Sequence, residues 1–236
     1  NNVEIAYNTI SRVSQYGTQT EGGGGDCIQE GSTYISASSW IHHNTLDHSD
    51  IVSKACIILS GATNSLIEKN ICTGALLTIN IVSVSGFICR YNTIKNPVKN
   101  GILFALAEGS FYYNTISGGC TLGTSDCAGI MISSDTISKT LYICNNVVYN
   151  VGGYGITVNM EDSTSTVVHK NNIYHTTTNR FINFISIAPK VYTDYNIYFN
   201  CYTTYSYRYA TRLYTTLQYY SSTTGKDLHS LSVDPQ

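Results

Sequence analysis

The apolar positions along the chain follow a repeating pattern, apolar-x-x-Asn-x-apolar, with asparagine at its centre. Clear copies are Ile41-His-His-Asn-Thr-Leu46 and Phe111-Tyr-Tyr-Asn-Thr-Ile116. The eight central asparagines are Asn8, Asn44, Asn70, Asn92, Asn114, Asn146, Asn171 and Asn196. Neighbouring copies lie 22 to 36 residues apart. A repeat length in the twenties is typical of a solenoid in which each repeat forms one coil.

A second apolar segment recurs with the same period, and its alternation predicts a short strand with one face toward the core. One inward row is predicted to contain Ile28, Ile57, Leu77, Ile102, Ile130, Ile156 and Ile182. The next inward row is Glu30, Leu59, Ile79, Phe104, Ile132, Val158 and Phe184. We expect the strands of successive coils to pair in parallel.

Two outward rows of this strand are predicted to carry no charge. The first is Gln29, Ile58, Thr78, Leu103, Met131, Thr157 and Asn183, and the second is Cys27, Cys56, Leu76, Gly101, Gly129, Gly155 and Phe181. An exposed apolar strip normally needs a cover, which would be a loop, further chain or another copy. The predicted interface residues are Ile58, Leu103, Met131 and Phe181.

The repeated asparagine has a physical reason. Asparagine tolerates the left-handed conformation that a bend between strands requires. Stacked coils also bring its side-chain amides within hydrogen-bonding reach of each other. The repeat therefore predicts a ladder of asparagines at one bend of every coil.

Taken together, these repeats resemble the right-handed parallel β-helix repeat family, the pectate-lyase-like superfamily, over about residues 1–200. The resemblance implies an all-β fold, a right-handed parallel β-helix solenoid of about eight to nine coils. Residues 201–236 are rich in tyrosine and resemble a closing segment, in which a short helix precedes Gly225-Lys-Asp-Leu-His-Ser230. This segment is expected to pack on the last coils within the same domain, and a chain that continues beyond Gln236 is favoured. Asp227 and His229 are interpreted as a turn that holds the last coil rather than as a site.

Composition narrows the classes of partner. Only 12% of the residues are charged and the formal net charge is −2, so the basic footprint of a nucleic-acid-binding protein is missing. We find no apolar run of membrane-spanning length. Tyrosine, 20 residues, replaces much of the charge. With eight cysteines, this composition favours a secreted or cell-surface protein of a microbe.

The cysteines divide into two groups. Cys27 and Cys56 fall in one row on consecutive coils, and Cys120 and Cys127 bracket an inserted loop, so both pairs are disulfide candidates. Cys72 and Cys89 occupy apolar positions of the repeat and are expected to be buried free thiols. The paired Cys-x-x-Cys spacing of a zinc site is absent from the sequence.

The family resemblance also implies a place for chemistry. In relatives that cut acidic polysaccharides, acidic residues on the outer face of the recurrent isoleucine strand bind calcium, and arginine or lysine abstracts a proton. The outward rows predicted here contain no charged residue, so no cofactor is evident. Calcium stays open as a cofactor, although no ligand cage for it is visible. If the chain is an enzyme, the resemblance implies a polysaccharide lyase, an epimerase or a glycoside hydrolase.

A polar row precedes the repeated asparagine. Stacking would bring its charged and aromatic side chains together, and such groups suit the faces and hydroxyls of sugars. Glu68, Lys69 and Arg90 would suit a uronate, although a solvated turn is the simpler interpretation. The candidate carbohydrate-binding residues are His42, His43, Glu68, Lys69, Arg90, Tyr91, Tyr112 and Tyr113.

Two further groups of ionisable residues are interpreted as surface turns. The run from His42 to Asp50 also contains His43, Asp47 and His48, but its spacing matches no compact metal motif. Glu161 and Asp162 follow the Ile156 strand, where family sites often begin.

Two hypotheses for function remain open. The first is recognition or processing of polysaccharide, which rests mainly on the family resemblance. The second is a structural adhesin, spike or filament subunit without catalysis, in which the apolar strip joins copies of the chain as a homo-oligomer.

Overall fold

A computed structural model describes residues 3–11, 26–30, 38–48, 55–120, 127–134, 139–160, 163–185, 190–201 and 203–234. Within these residues the chain winds through three stacked sheets, and each coil contributes one strand to each sheet. The predicted all-β parallel solenoid is therefore confirmed. The described residues include no helix of the length and apolarity needed to cross a membrane.

The first and second sheets each contain eight parallel strands. The strands of the first sheet are β1 (Val3–Ala6), β4 (Ser39–His42), β7 (Leu66–Glu68), β10 (Ser85–Arg90), β13 (Glu108–Tyr112), β16 (Thr140–Cys144), β19 (Thr166–Lys170) and β22 (Lys190–Asp194). The strands of the second sheet are β2 (Thr9–Ser11), β5 (Thr45–His48), β8 (Ile71–Gly74), β11 (Thr93–Lys95), β14 (Thr115–Ser117), β17 (Val147–Val151), β20 (Ile173–Thr177) and β23 (Ile197–Cys201).

The third sheet contains the recurrent isoleucine strands. Its strands are β3 (Ile28–Glu30), β6 (Ile57–Ser60), β9 (Leu77–Val82), β12 (Asn100–Ala105), β15 (Ala128–Ser134), β18 (Tyr154–Met160), β21 (Ile182–Phe184), β24 (Tyr207–Tyr209) and β25 (Arg212–Tyr214). All pairs are parallel except that between β24 and β25, which is antiparallel. The helix α1 (Leu217–Thr224) follows, and it begins at the side-chain cap Thr216 and ends at Gly225.

An asparagine ladder runs along the corner between the first and second sheets, as predicted. In each asparagine the backbone N–H and the Nδ2 group donate to Oδ1 of the asparagine in the next coil, and the Nδ2–Oδ1 distances are 2.9–3.1 Å. At the last coil, Asn196 donates instead to Ser230 and Asp227. Amides that would otherwise be buried without partners are thereby satisfied.

One ladder residue was predicted wrongly. Asn172, not Asn171, accepts from Asn146 and donates to Asn196. Asn171 lies in the left-handed region with a φ of 56°, and the residues before the other ladder asparagines have φ of 54–58°. The left-handed bend therefore belongs to the residue that precedes the ladder asparagine, and the predicted bend at the asparagine itself was also wrong. The pattern selected Asn171 because Val168 and Ile173 supply the apolar residues of the repeat around it, whereas the inward residue three positions before Asn172 is His169.

The predicted rows of the third sheet slip by two residues in β9. Ile79, not Leu77, pairs with Ile57 and Ile102, and Asn80 replaces Thr78 between Ile58 and Leu103. Because side chains alternate with a period of two, a slip of two residues leaves Ile79 and Ile81 facing inward, and alternation alone could not reveal it. The predicted orientations of Leu77 and Thr78 were wrong, since Thr78 is buried and Leu77 lines a groove on the outer face.

The row from Cys56 to Phe181 faces the core, and its predicted outward orientation was wrong. Cys56 and Phe181 are buried, and Phe181 packs against the rings of Tyr198 and Tyr207. A Cβ atom added at Gly155 would meet the ring of Tyr174 at 2.5 Å. At this corner two successive residues point inward, so Phe181 is removed from the predicted interface.

All eight cysteines are free thiols in the structure. The predicted disulfides Cys27–Cys56 and Cys120–Cys127 are therefore not present in it. The Sγ atoms of Cys120 and Cys127 both lie 2.9 Å from the Lys99 carbonyl oxygen. Cys72 and Cys89 are buried free thiols, as predicted, and burial raises the pKa of the Cys89 thiol.

The closing segment holds the last coil, as predicted for Asp227 and His229. The Asp227 carboxylate is buried and accepts hydrogen bonds from Thr193, Asn196, Tyr198 and Ser230. His229 contacts Asp194 through its backbone N–H and Nδ1, both at 2.7 Å from a carboxylate oxygen. These contacts supply partners to groups of β22 and β23 that would otherwise end at an open sheet edge.

Candidate functional site

The polar residues singled out in the sequence lie together on the outer face of the first sheet and on the corner that follows it. His42, Glu68, Arg90 and Tyr112 form one row across β4, β7, β10 and β13. The left-handed residues before the ladder asparagines form a second row, here called the corner row: Tyr7, His43, Lys69, Tyr91, Tyr113, Asn145, Asn171 and Tyr195. His169 is buried, because it occupies an inward position of β19 in the row of Ile143.

Aromatic rings stack along the corner row. Tyr91 and Tyr113 are parallel, with ring centroids 5.3 Å apart, and Tyr7 stacks on His43 at 5.0 Å. About half of the surface of Tyr91 and of Tyr113 is exposed. The guanidinium of Arg90 lies 5.7 Å from the Tyr91 centroid, where a cation is attracted to the ring face. Parallel coils thus hold flat rings side by side along the solenoid.

Trp40, the single tryptophan of the chain, is not among the residues predicted from the sequence. It lies on the outer face of β4 and is 42% exposed. Its ring stacks on His42 at a centroid distance of 4.0 Å, and its Nε1–H donates to Glu68 Oε1 at 3.3 Å. The available signal was alternation, because Trp40 precedes His42 by two residues and must share its face.

Glu68 is the centre of the polar contacts. Its Oε2 accepts from Arg90 Nε at 2.8 Å, and the Glu68 side chain is 8% exposed. Burial opposes ionisation of this carboxyl group, but the Arg90 guanidinium outweighs burial, and with the Trp40 hydrogen bond it lowers the pKa of Glu68. Glu68 is therefore held as a carboxylate, a state unsuited to a general acid.

A second contact between a carboxylate and a nitrogen-bearing side chain lies beside the first. His42 Nε2 is 2.9 Å from Glu4 Oε1, and His42 Nδ1 is 2.8 Å from His43 Nδ1. The Glu4 side chain is 59% exposed. Glu4 lies on β1 and Glu68 on β7, the two strands that flank β4 with its stacked Trp40 and His42 rings. Glu4 contacts His42, and Glu68 contacts Arg90.

A shallow groove of about 410 Å³ opens beside the tryptophan. Here called the Trp40 groove, it is lined by Val3, Glu4, Ser38, Ser39, Trp40, Asn64 and Leu66. A concave surface with one aromatic ring and a few polar groups is the usual form of a small-molecule site.

The outer face of the third sheet, where the family resemblance places chemistry, is different. Its corrected row is Gln29, Ile58, Asn80, Leu103, Met131, Thr157 and Asn183, and it continues to Arg208 on β24. Ile58, Leu103 and Met131 are half-buried there. The row holds no carboxylate, so it offers neither a carboxylate ligand for calcium nor the acid–base pair of a hydrolase.

The described part of the chain has no group of three or more His, Cys, Asp or Glu side chains able to hold a metal ion. The run at His42 is not a surface turn, because β4 and β5 place it on both sides of a corner and bury His48. Asp50, Glu161 and Asp162 lie outside the described residues.

Comparison with known proteins gives one match. A family model for the right-handed beta helix region matches residues 32–200. No curated protein and no solved structure matches the chain.

Proposed function

Because the chain belongs to the right-handed beta helix family, we propose that its solenoid is a scaffold that recognises polysaccharide through the outer face of the first sheet. The observation that carries this proposal is the two stacked aromatic pairs of the corner row, Tyr91 with Tyr113 and Tyr7 with His43, together with Trp40 and its groove. Flat rings bind the apolar faces of sugar units, and nearby polar groups bind their hydroxyls.

Backbone strain supports a role for these rings. Tyr7, Tyr91, Tyr113 and Tyr195 all occupy the left-handed region, where a residue other than glycine or asparagine costs on the order of 1 kcal/mol. Asparagine fills the same position at 145 and 171. Tyrosine at strained, exposed positions therefore favours a function for the side chain over a role in the bend.

The proposal is binding without cleavage. Glu68 is held ionised by Arg90, whereas hydrolysis of a glycosidic bond requires one protonated carboxyl group. An extracellular location is part of the proposal, supported by a composition poor in charge and rich in tyrosine.

The test is affinity electrophoresis against a panel of soluble polysaccharides. Trp40→Ala is expected to weaken binding about fivefold, because one stacked aromatic ring contributes on the order of 1 kcal/mol. Tyr149→Ala is the matched control, since Tyr149 is also 42% exposed but lies on the second sheet. Equal losses in both variants, or no retardation of the wild type by any polysaccharide, would contradict the proposal.

Self-association as a structural subunit is a second candidate, favoured by a specific observation. Leu77, Leu103 and Met131 line a shallow groove of about 380 Å³ on the third sheet. If copies join there, light scattering gives a multiple of the 25.9 kDa chain mass, and Met131→Glu returns the protein to a monomer. A monomeric wild type would exclude this candidate.

A further inference from the structure

We infer that the Trp40 groove selects neutral sugar units over uronates. This inference rests on the proposed function and names the class of glycan. It differs from the expectation that Glu68, Lys69 and Arg90 would bind an acidic sugar.

The charge of the groove carries the inference. Among the seven lining residues that the structure describes, Glu4 is the only charged one. Its side chain is 59% exposed, and only Oε1 has His42 as a partner at 2.9 Å. A carboxylate at this position accepts hydrogen bonds from sugar hydroxyls but repels a sugar carboxylate.

The nearby cations are placed where they do not offset this repulsion. The Nε atom of Arg90 is used by Glu68 at 2.8 Å, and Nη1 lies 3.5 Å from the Tyr112 hydroxyl. A bidentate bond to a uronate needs a guanidinium edge that is not already committed. Neither Arg90 nor Lys69 lines the groove, and Lys69 belongs to the corner row.

Trp40 offers the ligand an apolar surface. Its one N–H group is already donated to Glu68 Oε1, so the exposed part of the indole ring presents carbon atoms. The apolar face of a pyranose matches this surface, and its hydroxyls are then directed to the rim, where Glu4 and Asn64 lie.

The size of the discrimination follows from the charges. Two like unit charges 4 Å apart repel by about 1 kcal/mol in water and by about 4 kcal/mol near a protein surface. A uronan is therefore expected to bind at least about fivefold more weakly than its neutral counterpart.

The experiment uses matched ligands, namely oligosaccharides of several uronans and the same oligosaccharides after reduction of their carboxyl groups to alcohols, alongside neutral glucans, galactans and mannans. Calorimetric titration of the wild-type protein should give tighter binding of the neutral member of each bound pair. Glu4→Gln should strengthen uronan binding about fivefold and change neutral binding by less than about threefold.

The outcomes separate the inference from the proposed function. Tighter binding of the uronans, or no response of uronan binding to Glu4→Gln, would overturn the selection of neutral sugars while recognition of polysaccharide stands. Trp40→Ala is expected to weaken binding whether the groove prefers neutral sugars or uronates. Absence of binding to every ligand would overturn both.

Discussion

At the corner between the first and second sheets, two neighbouring residues have opposite tasks. The first takes the left-handed conformation and points its side chain into solvent, and the second buries its amide in the ladder. Exposure and strain at the first position allow functional side chains such as Tyr91 and Tyr113. The second position is asparagine in every described coil, because its side-chain amide bonds to the asparagine of the next coil.

The pair Asn171 and Asn172 tests this division of tasks. Asn172→Ala removes donors to the carbonyls of Ile143 and Lys170 and an acceptor for Asn146. Each buried group left without a partner costs about 1–3 kcal/mol, so a loss of about 3 kcal/mol in the free energy of unfolding is expected. Asn171→Gly, which keeps the left-handed backbone, should change it by less than about 1 kcal/mol. Urea denaturation measures both, and equal effects would show that the ladder register is wrong.

A buried histidine makes stability depend on pH. His169 Nε2 lies 2.7 Å from the Tyr174 hydroxyl, and Nδ1 lies 2.8 Å from Thr193 Oγ1, which donates to Asp227. Burial lowers the pKa of His169 to about 4, although the Asp227 charge acts in the opposite direction. The folded state therefore holds the imidazole neutral, whereas the unfolded chain binds a proton near pH 6.5.

The sign of this effect is fixed by the lowered pKa. Stability is fully present above about pH 6.5 and is lost as the pH falls toward about 4, by roughly 3 kcal/mol in total. Urea denaturation at a series of pH values should show this slope, and His169→Gln should flatten it. A wild-type stability that stays constant between pH 6.5 and 4.5 would contradict the assignment.

At the scale of strands, close packing at the corner before the third sheet limits side-chain size. A Cβ atom at Gly155 would lie 2.5 Å from Tyr174 Cδ1 and 2.8 Å from the Phe181 carbonyl oxygen. Gly155→Ala is therefore expected to lower the free energy of unfolding by about 1–3 kcal/mol. Ala105→Ser, on the outer side of β12, should change it little. An unchanged midpoint of thermal unfolding in Gly155→Ala would show that side chains at this corner pack less closely than described.

Strands and their pairing could be predicted because the sequence repeats them. The inward alternation of Ile102 and Phe104, for example, recurs in Ile130 and Ile132 and identifies a parallel stack. Register in β9 could not be predicted, because a shift of two residues preserves alternation. The orientation of Phe181 could not be predicted either, since alternation ends where two successive residues face the core at a corner.

At the scale of the whole molecule, the solenoid converts distant residues into one surface. Trp40, Glu68 and Arg90 are separated by more than twenty residues at each step, yet consecutive coils bring them into direct contact. Contact between the residues of the polar row could be predicted, because every coil contributes one residue at the same position of the repeat. The Trp40 groove could not be foreseen, because it depends on side-chain sizes across three coils.

A titration of intrinsic tryptophan fluorescence with neutral oligosaccharides measures glycan binding at the Trp40 groove most directly. Trp40 is the single tryptophan, so selective excitation reports on the groove itself. We expect a saturable change in emission with neutral oligosaccharides, and a clearly weaker response with their uronate counterparts. Binding detected by calorimetry without any change in Trp40 emission would place the glycan elsewhere and contradict recognition through the Trp40 groove.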